Sequence, residues 1–159
     1  MRAAVITVSD RVSRGEAEDV SGPLLAELLE GLGFSVAPVV VTPDGELAVQ
    51  AALVALVDEV DLIATTGGTG FAPRDLTPEA TRLVIERPAP GLAEAMRAAT
   101  FGVNPHGMLS RGVAGIAGRT LILNLPGSPQ GVRESLSVVG PALHHGVELL
   151  IAAESDHNA

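Results

Sequence analysis

The sequence predicts an α/β fold in which a mainly parallel β-sheet lies between helical layers. The chain has 159 residues, the length of one ordinary domain. Apolar residues make up 47% of it but aromatic residues only 2%, so the core must be aliphatic, as in a sheet lined by Val and Leu. Strand-like and helical segments alternate over short connections. We therefore expect a single domain over residues 1–153 and a polar C-terminal tail over 154–159.

Along the first half of the chain, apolar periodicity separates strands from helices. Leucines recur at helical spacing after Ser21, a candidate N-cap, and Gly33 is a natural helix stop. Pro38 predicts an edge position for the segment around it, because proline cannot donate a ladder hydrogen bond. The predicted elements are a strand over 3–8, a polar loop over 9–15, a helix over 21–33, a β-rich segment over 34–41, a turn over 42–45, a helix over 47–57 and a strand over 62–66.

In the second half, prolines and glycines mark the element boundaries. Thr77 can cap a helix that has Pro78 at its first position. Gly118 lies between two short apolar runs and indicates a β-hairpin. Gly140 and Pro141 are expected to interrupt the last helical region. The predicted elements are a helix from 77, a helix over 92–100, a loop over 101–112, hairpin strands over 113–116 and 120–123, and helix beyond 129.

Composition and charge narrow the class of protein. The formal net charge of −9 disfavours general nucleic-acid binding, because an acidic surface repels a phosphate backbone. The chain has no cysteine, which excludes disulfides and thiolate metal sites. No continuous apolar run approaches the roughly 20 residues needed to span a bilayer, and the N-terminus lacks the pattern of a signal peptide. We therefore expect a cytoplasmic protein that binds neither nucleic acid nor membrane.

Three glycines within four residues follow the strand at 62–66 and form the segment Gly67–Gly70. Glycine allows positive φ and close approach of a ligand, so such a loop can turn several N–H groups toward one anion. Two familiar nucleotide motifs fail, because no lysine follows Gly70 and Pro73 stands where the dinucleotide fingerprint needs glycine. The loop is therefore either a phosphate cradle of another kind or a plain tight turn.

Polar segments follow three predicted strands, at 9–11, 66–75 and 124–129. In α/β folds ligands bind outside the carboxyl ends of the strands, so these segments should gather on one rim. If Asp44 and Asp75 both lie there, two carboxylates beside bound phosphates would suit Mg²⁺. The alternatives are a turn aspartate at 44 and support of a helix N-terminus at 75. We assign Arg97 to a solvated helix face.

The motifs together resemble those of the MogA/MoaB family and of the related G domain of gephyrin and its plant counterpart. The resemblance covers residues 5–150 and rests on Ser9-Asp10-Arg11, Thr65-Thr66-Gly67-Gly68-Thr69-Gly70, Pro73-Arg74-Asp75, Thr77-Pro78-Glu79-Ala80-Thr81, Pro90-Gly91-Leu92, Met96-Arg97, Ser110-Arg111 and Asn124-Leu125-Pro126-Gly127-Ser128-Pro129. It implies a three-layer α/β/α sandwich, a homotrimer and binding of molybdopterin. Enzymatic members transfer AMP from ATP to molybdopterin with Mg²⁺ and release pyrophosphate, before hand-over to a molybdenum insertase.

By the same resemblance, Asp44 and Asp75 match the two aspartates needed for activity and would hold the metal ion. The substrate-binding residues that it implies are Ser9, Asp10, Arg11, Thr66, Gly67, Gly68, Thr69, Gly70, Arg74, Ser110, Arg111, Asn124, Pro126, Gly127, Ser128 and Pro129. Two alternatives remain open. One is a MoaB-like protein that binds molybdopterin or a precursor without turning over ATP. The other is a related insertion or CinA-type domain of the same fold.

Overall fold

A seven-stranded sheet organises the molecule. The computed structural model describes residues 1–157, with side chains described through residue 152. The strands in this part of the chain are β1 Arg2–Val8, β2 Ser35–Val36, β3 Val40–Thr42, β4 Leu62–Thr66, β5 Arg87–Pro88, β6 Ala114–Ala117 and β7 Thr120–Leu125. Their order is β2-β1-β4-β7-β6-β5, and β3 also pairs with β1. The pairings β1–β4 and β4–β7 are parallel, and β6–β7 is the antiparallel hairpin predicted from the sequence.

Within the described residues six helices cover the sheet, three on one face and two on the other, with the shortest at the rim. They are α1 Asp10–Ser13, α2 Ser21–Gly31, α3 Glu46–Val54, α4 Thr77–Val84, α5 Pro90–Ala98 and α6 Pro129–His157, and a 3₁₀ helix spans Pro105–Leu109. Successive strand residues point to opposite faces. Val5 is buried with the residues of α2 and α6, whereas its neighbour Ile6 is buried with those of α3. The three-layer α/β/α sandwich is therefore confirmed.

The β-rich segment at 34–41 forms two strands instead of one. Arg2 and Ala3 of β1 pair with β2, and residues 6–8 of β1 pair with β3, both in parallel. Pro38 lies in the gap between these two short strands. Together they form one interrupted edge of the sheet beside β1, so the edge position that Pro38 predicted is confirmed.

In the first half of the chain, two predictions about helix starts were wrong. The segment after β1 is not all loop: Ser9 Oγ accepts a hydrogen bond from Val12 N at 3.3 Å and caps the single turn of α1. Ser21 is the first residue of α2 and not its cap, since the N–H of Gly22 is bound by Asp19 Oδ1 at 2.9 Å. Sequence alone misses α1, because a polar loop and one capped turn have the same composition, and it misses the start of α2, because Asp19 and Ser21 are both suitable capping residues.

The last helix departs furthest from expectation. α6 runs through Gly140 and Pro141 without interruption, to His157. Gly140 packs against Leu32, and the buried face of α6 lies on the sheet. This packing offsets the loss of the one helical hydrogen bond that Pro141 cannot donate. The segment predicted as a polar tail thus begins as helix at 154–157, and residues 158–159 lie outside the described residues.

By length and composition alone, the part of α6 from Pro129 to Ala152 is apolar enough to cross a membrane, with a mean hydropathy of 1.2. No continuous apolar run marks this segment, because Arg133, Glu134 and Glu148 interrupt it. Val132, Val139 and Leu143 of this helix are nevertheless buried in the core beside the sheet. The helices of a protein core have the same length and composition, and α6 has that role in this fold.

Candidate active site

The ends of three neighbouring strands bring the predicted loops together. β1, β4 and β7 are adjacent and parallel, so the segments that follow them meet at one rim. Thr66 Oγ1 donates a hydrogen bond to Pro126 O at 2.7 Å, and Gly67 N donates to Leu125 O at 3.3 Å. A Cβ atom on Gly127 would lie 3.1 Å from the Cα of Gly67. The glycine loop after β4 and the turn after β7 are thus in direct contact.

The backbone of the glycine loop is held in a conformation that favours glycine. Gly67 and Gly68 have φ angles of +101° and +64°. Thr77, predicted to be a helix cap, instead donates its hydroxyl hydrogen to Gly67 O at 3.0 Å. Within the part of the chain that the structure describes, the N–H groups of residues 68–70 donate to no protein acceptor. They are free to bind an anion.

A cleft of about 660 Å³ opens beside this loop. Its walls are the glycine loop with Asp75, helix α5, the segment 99–112 and the first turns of α6. Asn124 and Ser110, both predicted site residues, contribute to the lining. The walls from α5 and α6 were not predicted, because their apolar residues follow the pattern of ordinary core helices.

Among the described residues, Arg97 is the one arginine that lines the cleft. Its Nη1 donates to Gly112 O at 2.8 Å, which fixes the side chain across the cleft wall. The assignment of Arg97 to a solvated face was therefore wrong. Arg97 follows a helical pattern whose exposed and cleft-facing positions look alike in sequence.

Asp10, Asp44 and Arg74 form a second polar cluster on the rim. Asp10 N donates to Asp44 Oδ2 at 2.7 Å, and Asp44 N donates to Asp10 Oδ1 at 3.2 Å. Arg74 Nε lies 2.6 Å from Asp10 Oδ2, and Arg74 Nη2 donates to Asp44 O at 2.5 Å. The hydrogen bond from Arg74 lowers the pKa of Asp10 and raises that of Arg74. The cluster fixes the backbone and the carboxylate of Asp44.

The two candidate metal-binding aspartates lie close to different glycines of the loop. Asp44 Oδ1 is 3.4 Å from the position of a Cβ atom on Gly68, and Asp75 Oδ2 is 2.9 Å from that position on Gly70. Asp75 Oδ2 also accepts a hydrogen bond from Ala72 N at 3.0 Å. Asp75 lines the cleft, whereas Asp44 belongs to the cluster with Asp10 and Arg74. No group of three His, Cys, Asp or Glu suited to a metal occurs among the described residues.

Arg111 is bound to the protein itself. Its Nε donates to Gly70 O at 2.8 Å, and its two terminal nitrogens bind Glu79 and the carbonyl oxygen of Asp75. The hydrogen bond from Arg111 lowers the pKa of Glu79 below its ordinary value. The structure thus places Arg111, predicted to contact substrate, as a clamp between the glycine loop and the first turn of α4.

Two other predicted site residues use their side chains within the fold. The buried amide of Asn124 donates to Thr65 Oγ1 at 3.1 Å and to Thr81 Oγ1 at 2.9 Å, while its oxygen accepts from Val113 N at 3.2 Å. Ser128 Oγ accepts from Gly131 N at 3.1 Å and so supports the start of α6. The N–H groups of Gly127 and Ser128 donate to no acceptor among the described residues, so this turn offers backbone donors.

Of the remaining predicted residues, Arg11 lies in α1 with an exposed side chain, and Ser9 is occupied as the cap of that helix. Thr69 is buried, and its carbonyl oxygen accepts from Arg111 N at 2.9 Å. Pro129 begins α6 on the exposed side of the rim. These four residues lie at the rim, and Thr69 is the one of them that also lines the cleft.

The profile of a protein family described as a probable molybdopterin binding domain matches residues 4–145. The molybdopterin adenylyltransferase of Helicobacter pylori J99 is 42% identical over 154 residues, which is 92% of this chain and 86% of that enzyme. The chain is also 42% identical to the Drosophila melanogaster molybdenum cofactor synthesis protein cinnamon and 41% identical to Dictyostelium discoideum gephyrin. It spans only 25% and 22% of the lengths of these two larger proteins.

Solved structures share the fold at similar identity. A structure of MogA superimposes with a TM-score of 0.90 at 46% identity, over 94% of this chain and 99% of that one. The molybdopterin biosynthesis enzyme MoaB of Thermus thermophilus gives a TM-score of 0.88 at 50% identity, over 94% and 95% of the two chains.

Proposed function

This chain belongs to the molybdopterin-binding domain family that includes MogA and MoaB, which acts in molybdenum cofactor biosynthesis, and we propose that it is a molybdopterin adenylyltransferase. The reaction would transfer AMP from ATP to the terminal phosphate of molybdopterin and release pyrophosphate. The identity to the Helicobacter pylori enzyme, along most of both chains, supports the activity.

The observation that carries the proposal is the set of free backbone donors on the cleft. The N–H groups of residues 68–70 and of residues 127–128 donate to no acceptor in the described chain, and the two loops touch. Backbone donors bind phosphate without adding a side-chain charge. In a chain with a net charge of −9, such donors and Arg97 are the means by which two anionic substrates can be held in one cleft.

The residues beside the glycine loop fit a magnesium ion. Asp44 and Asp75 offer hard carboxylate oxygens, and the absence of side chains on Gly68 and Gly70 lets these carboxylates approach the loop closely. Magnesium is commonly held by one or two carboxylates together with substrate phosphates, so a cluster of three protein ligands is not required. Bound there, the ion would neutralise charge on the α-phosphate and the leaving pyrophosphate.

The protein residues then have to align two anions more than to move protons. The terminal phosphate of molybdopterin is already ionised near neutral pH, so it can attack the α-phosphate of ATP without a general base. The new P–O bond forms as the bond to pyrophosphate breaks. Loop amides hold the phosphates in place, Arg97 adds one positive charge, and the Asp10–Arg74 pair keeps Asp44 fixed.

The purified protein tests the proposal directly. With ATP, Mg²⁺ and molybdopterin it should release pyrophosphate and form adenylylated molybdopterin, which chromatography with mass detection identifies. Chelation of the divalent cation should stop the reaction, and added Mg²⁺ should restore it. Absence of product from a protein that binds both substrates would contradict the proposal.

The substitution Asp75→Asn separates catalysis from binding. The asparagine side chain would keep an acceptor for Ala72 N, so the loop should stay folded, but the change removes the charge that faces the cleft. We expect kcat to fall by at least about 100-fold, with the Kd for molybdopterin changed little. Glu94→Gln, an exposed charge change on α5, is the matched control. Undiminished formation of the product by Asp75→Asn would contradict the assigned role.

A second candidate is a protein that binds molybdopterin without adenylylating it. The observation behind this candidate is the 50% identity to a MoaB protein. Retention of both aspartates at the glycine loop favours the enzyme, because a carrier needs no pair of carboxylates beside the phosphates. One measurement distinguishes the two candidates: tight binding of molybdopterin without release of pyrophosphate supports the carrier.

A further inference from the structure

The α6 wall of the cleft carries a carboxylate that the adenylyl transfer does not use. Among the described residues, Asp75 and Glu134 are the acidic residues that line the cleft. Glu134 Oε1 accepts a hydrogen bond from Gln130 Nε2 at 2.6 Å, which orients the carboxylate from the preceding helical turn. Its Oε2 atom accepts no hydrogen bond within the described chain. Oε1 is therefore positioned and keeps a second lone pair, and Oε2 is open to a ligand.

The cleft that Glu134 lines also has apolar walls, in addition to the phosphate-binding loops. Met96, Val103, Leu109 and Val138 contribute aliphatic surface to the same cleft. A flat heteroaromatic ring packs well between such walls, whereas a phosphate would lose its hydration there and be repelled by the carboxylate. A ring that presents N–H donors would satisfy both the apolar walls and the carboxylate of Glu134.

The distance along the helix suits a ligand that reaches from one region to the other. Ser128 follows Gly127, which contacts the glycine loop. Glu134 is six positions further along the chain, which corresponds to about 9 Å of helix. A fused pterin with a phosphate-bearing arm has a comparable length. A phosphate at the loops would leave the pterin ring near Glu134.

We propose that Glu134 recognises the pyrimidine edge of the pterin, accepting hydrogen bonds from its 2-amino group and its N3–H. These two donors are adjacent on the ring and match the two oxygens of a carboxylate. Adenine fits less well, because its 6-amino donor stands beside N1, an acceptor that the carboxylate would repel. The proposal rests on the proposed function for the identity of the pterin substrate, and it assigns Glu134 the specificity for that ring.

Glu134→Gln tests this role in the reaction. The substitution keeps the size and the helix propensity of the side chain but exchanges one acceptor oxygen for an N–H₂ group that opposes the pterin N3–H. We expect the KM for molybdopterin to rise about 10- to 100-fold, while the KM for ATP and kcat at saturation stay within about twofold. Glu148→Gln makes the same charge change at an exposed site of α6 and should leave all three unchanged. A rise confined to the KM for ATP would overturn the proposal and assign Glu134 to adenine.

Binding of ring fragments gives a readout that is independent of adenylyl transfer. The wild-type protein should bind pterin (2-amino-4-oxopteridine) in preference to lumazine (pteridine-2,4-dione), measured by fluorescence titration. Glu134→Gln should lose this preference or reverse it, because an amide can pair with the 2-oxo group and N3–H of lumazine. Equal preference in both proteins, or no binding of pterin to the wild type at millimolar concentration, would overturn the proposal. If the preference shifts but no adenylylated product ever forms, the pterin site stands and the proposed activity fails.

Discussion

Gly67 shows how one residue joins the site to the sheet. A Cβ atom at this position would lie 2.3 Å from Val8 O, inside the adjacent strand β1. Its φ of +101° turns the chain out of β4, and its carbonyl oxygen accepts the hydroxyl of Thr77. Gly127 packs against its Cα from the neighbouring turn. Both the backbone angle and the space require glycine here.

Gly67→Ala should therefore be strongly destabilising. The unfavourable φ alone costs about 1 kcal/mol, and the contact with Val8 O should bring the total loss to about 3 kcal/mol in the free energy of unfolding. Gly15→Ala separates the two causes, since Gly15 also has a positive φ, of +71°, but has no atom near its Cβ position. Urea unfolding of both variants measures the difference. Equal losses would contradict the steric argument.

At the scale of elements, the glycine loop, α4 and the segment before β6 are connected through Arg111. This side chain binds Gly70 O, Asp75 O and the carboxylate of Glu79 in the first turn of α4. Arg111 does not line the cleft and binds a carbonyl oxygen of the loop, so it holds the loop in place and leaves the loop amides free. Its strength depends on Glu79 being ionised.

The pKa of Glu79 gives the link a pH dependence. Because the hydrogen bond from Arg111 lowers this pKa in the folded state below its ordinary value of 4.5, the ionised form contributes stability above about pH 4.5 that is lost as pH falls through the folded value. The wild type should unfold at a higher temperature than Glu79→Gln at about pH 6, and the difference should shrink toward about pH 3. Asp10 titrates in both proteins, so the comparison isolates Glu79. A difference that does not depend on pH would contradict the prediction.

At the scale of the whole molecule, large apolar side chains remain on the surface. Leu47 is 80% exposed, and Phe71 and Phe101 are 69% and 65% exposed. Association of copies of the chain would cover such surface, whereas the net charge of −9 per chain opposes it. Surface and charge therefore act in opposite directions on self-association.

We propose a homotrimer, as the family resemblance implies. Light scattering after gel filtration should give three times the chain mass of 16.2 kDa. Higher salt should strengthen the association at low protein concentration, because it screens the repulsion between acidic subunits. A mass of one chain at all salt and protein concentrations would contradict the proposal.

The sequence by itself determined the central strands β1, β4 and β7, the hairpin, the glycine loop and the rim where the strands end. Buried strands and packed helices leave local patterns, and the run Gly67–Gly70 indicates its loop without any partner. The carboxyl ends of parallel strands lie at one edge of the sheet. The order of strands in the sequence therefore also predicts that the loops after them lie at that edge.

The tertiary structure alone decided which way the polar side chains turn. Arg74 pairs with Asp10 across 64 positions of the sequence, and Arg111 binds Gly70 across 41. Asn124, chosen from sequence as a ligand-binding residue, uses its side chain in the interior, whereas Glu134 and Arg97, which resemble ordinary helix-surface residues, line the cleft. A local sequence pattern shows whether a segment is a strand or a helix, but it does not show which residues pack against that segment. For that reason the sequence did not predict that α5 and α6 line the cleft.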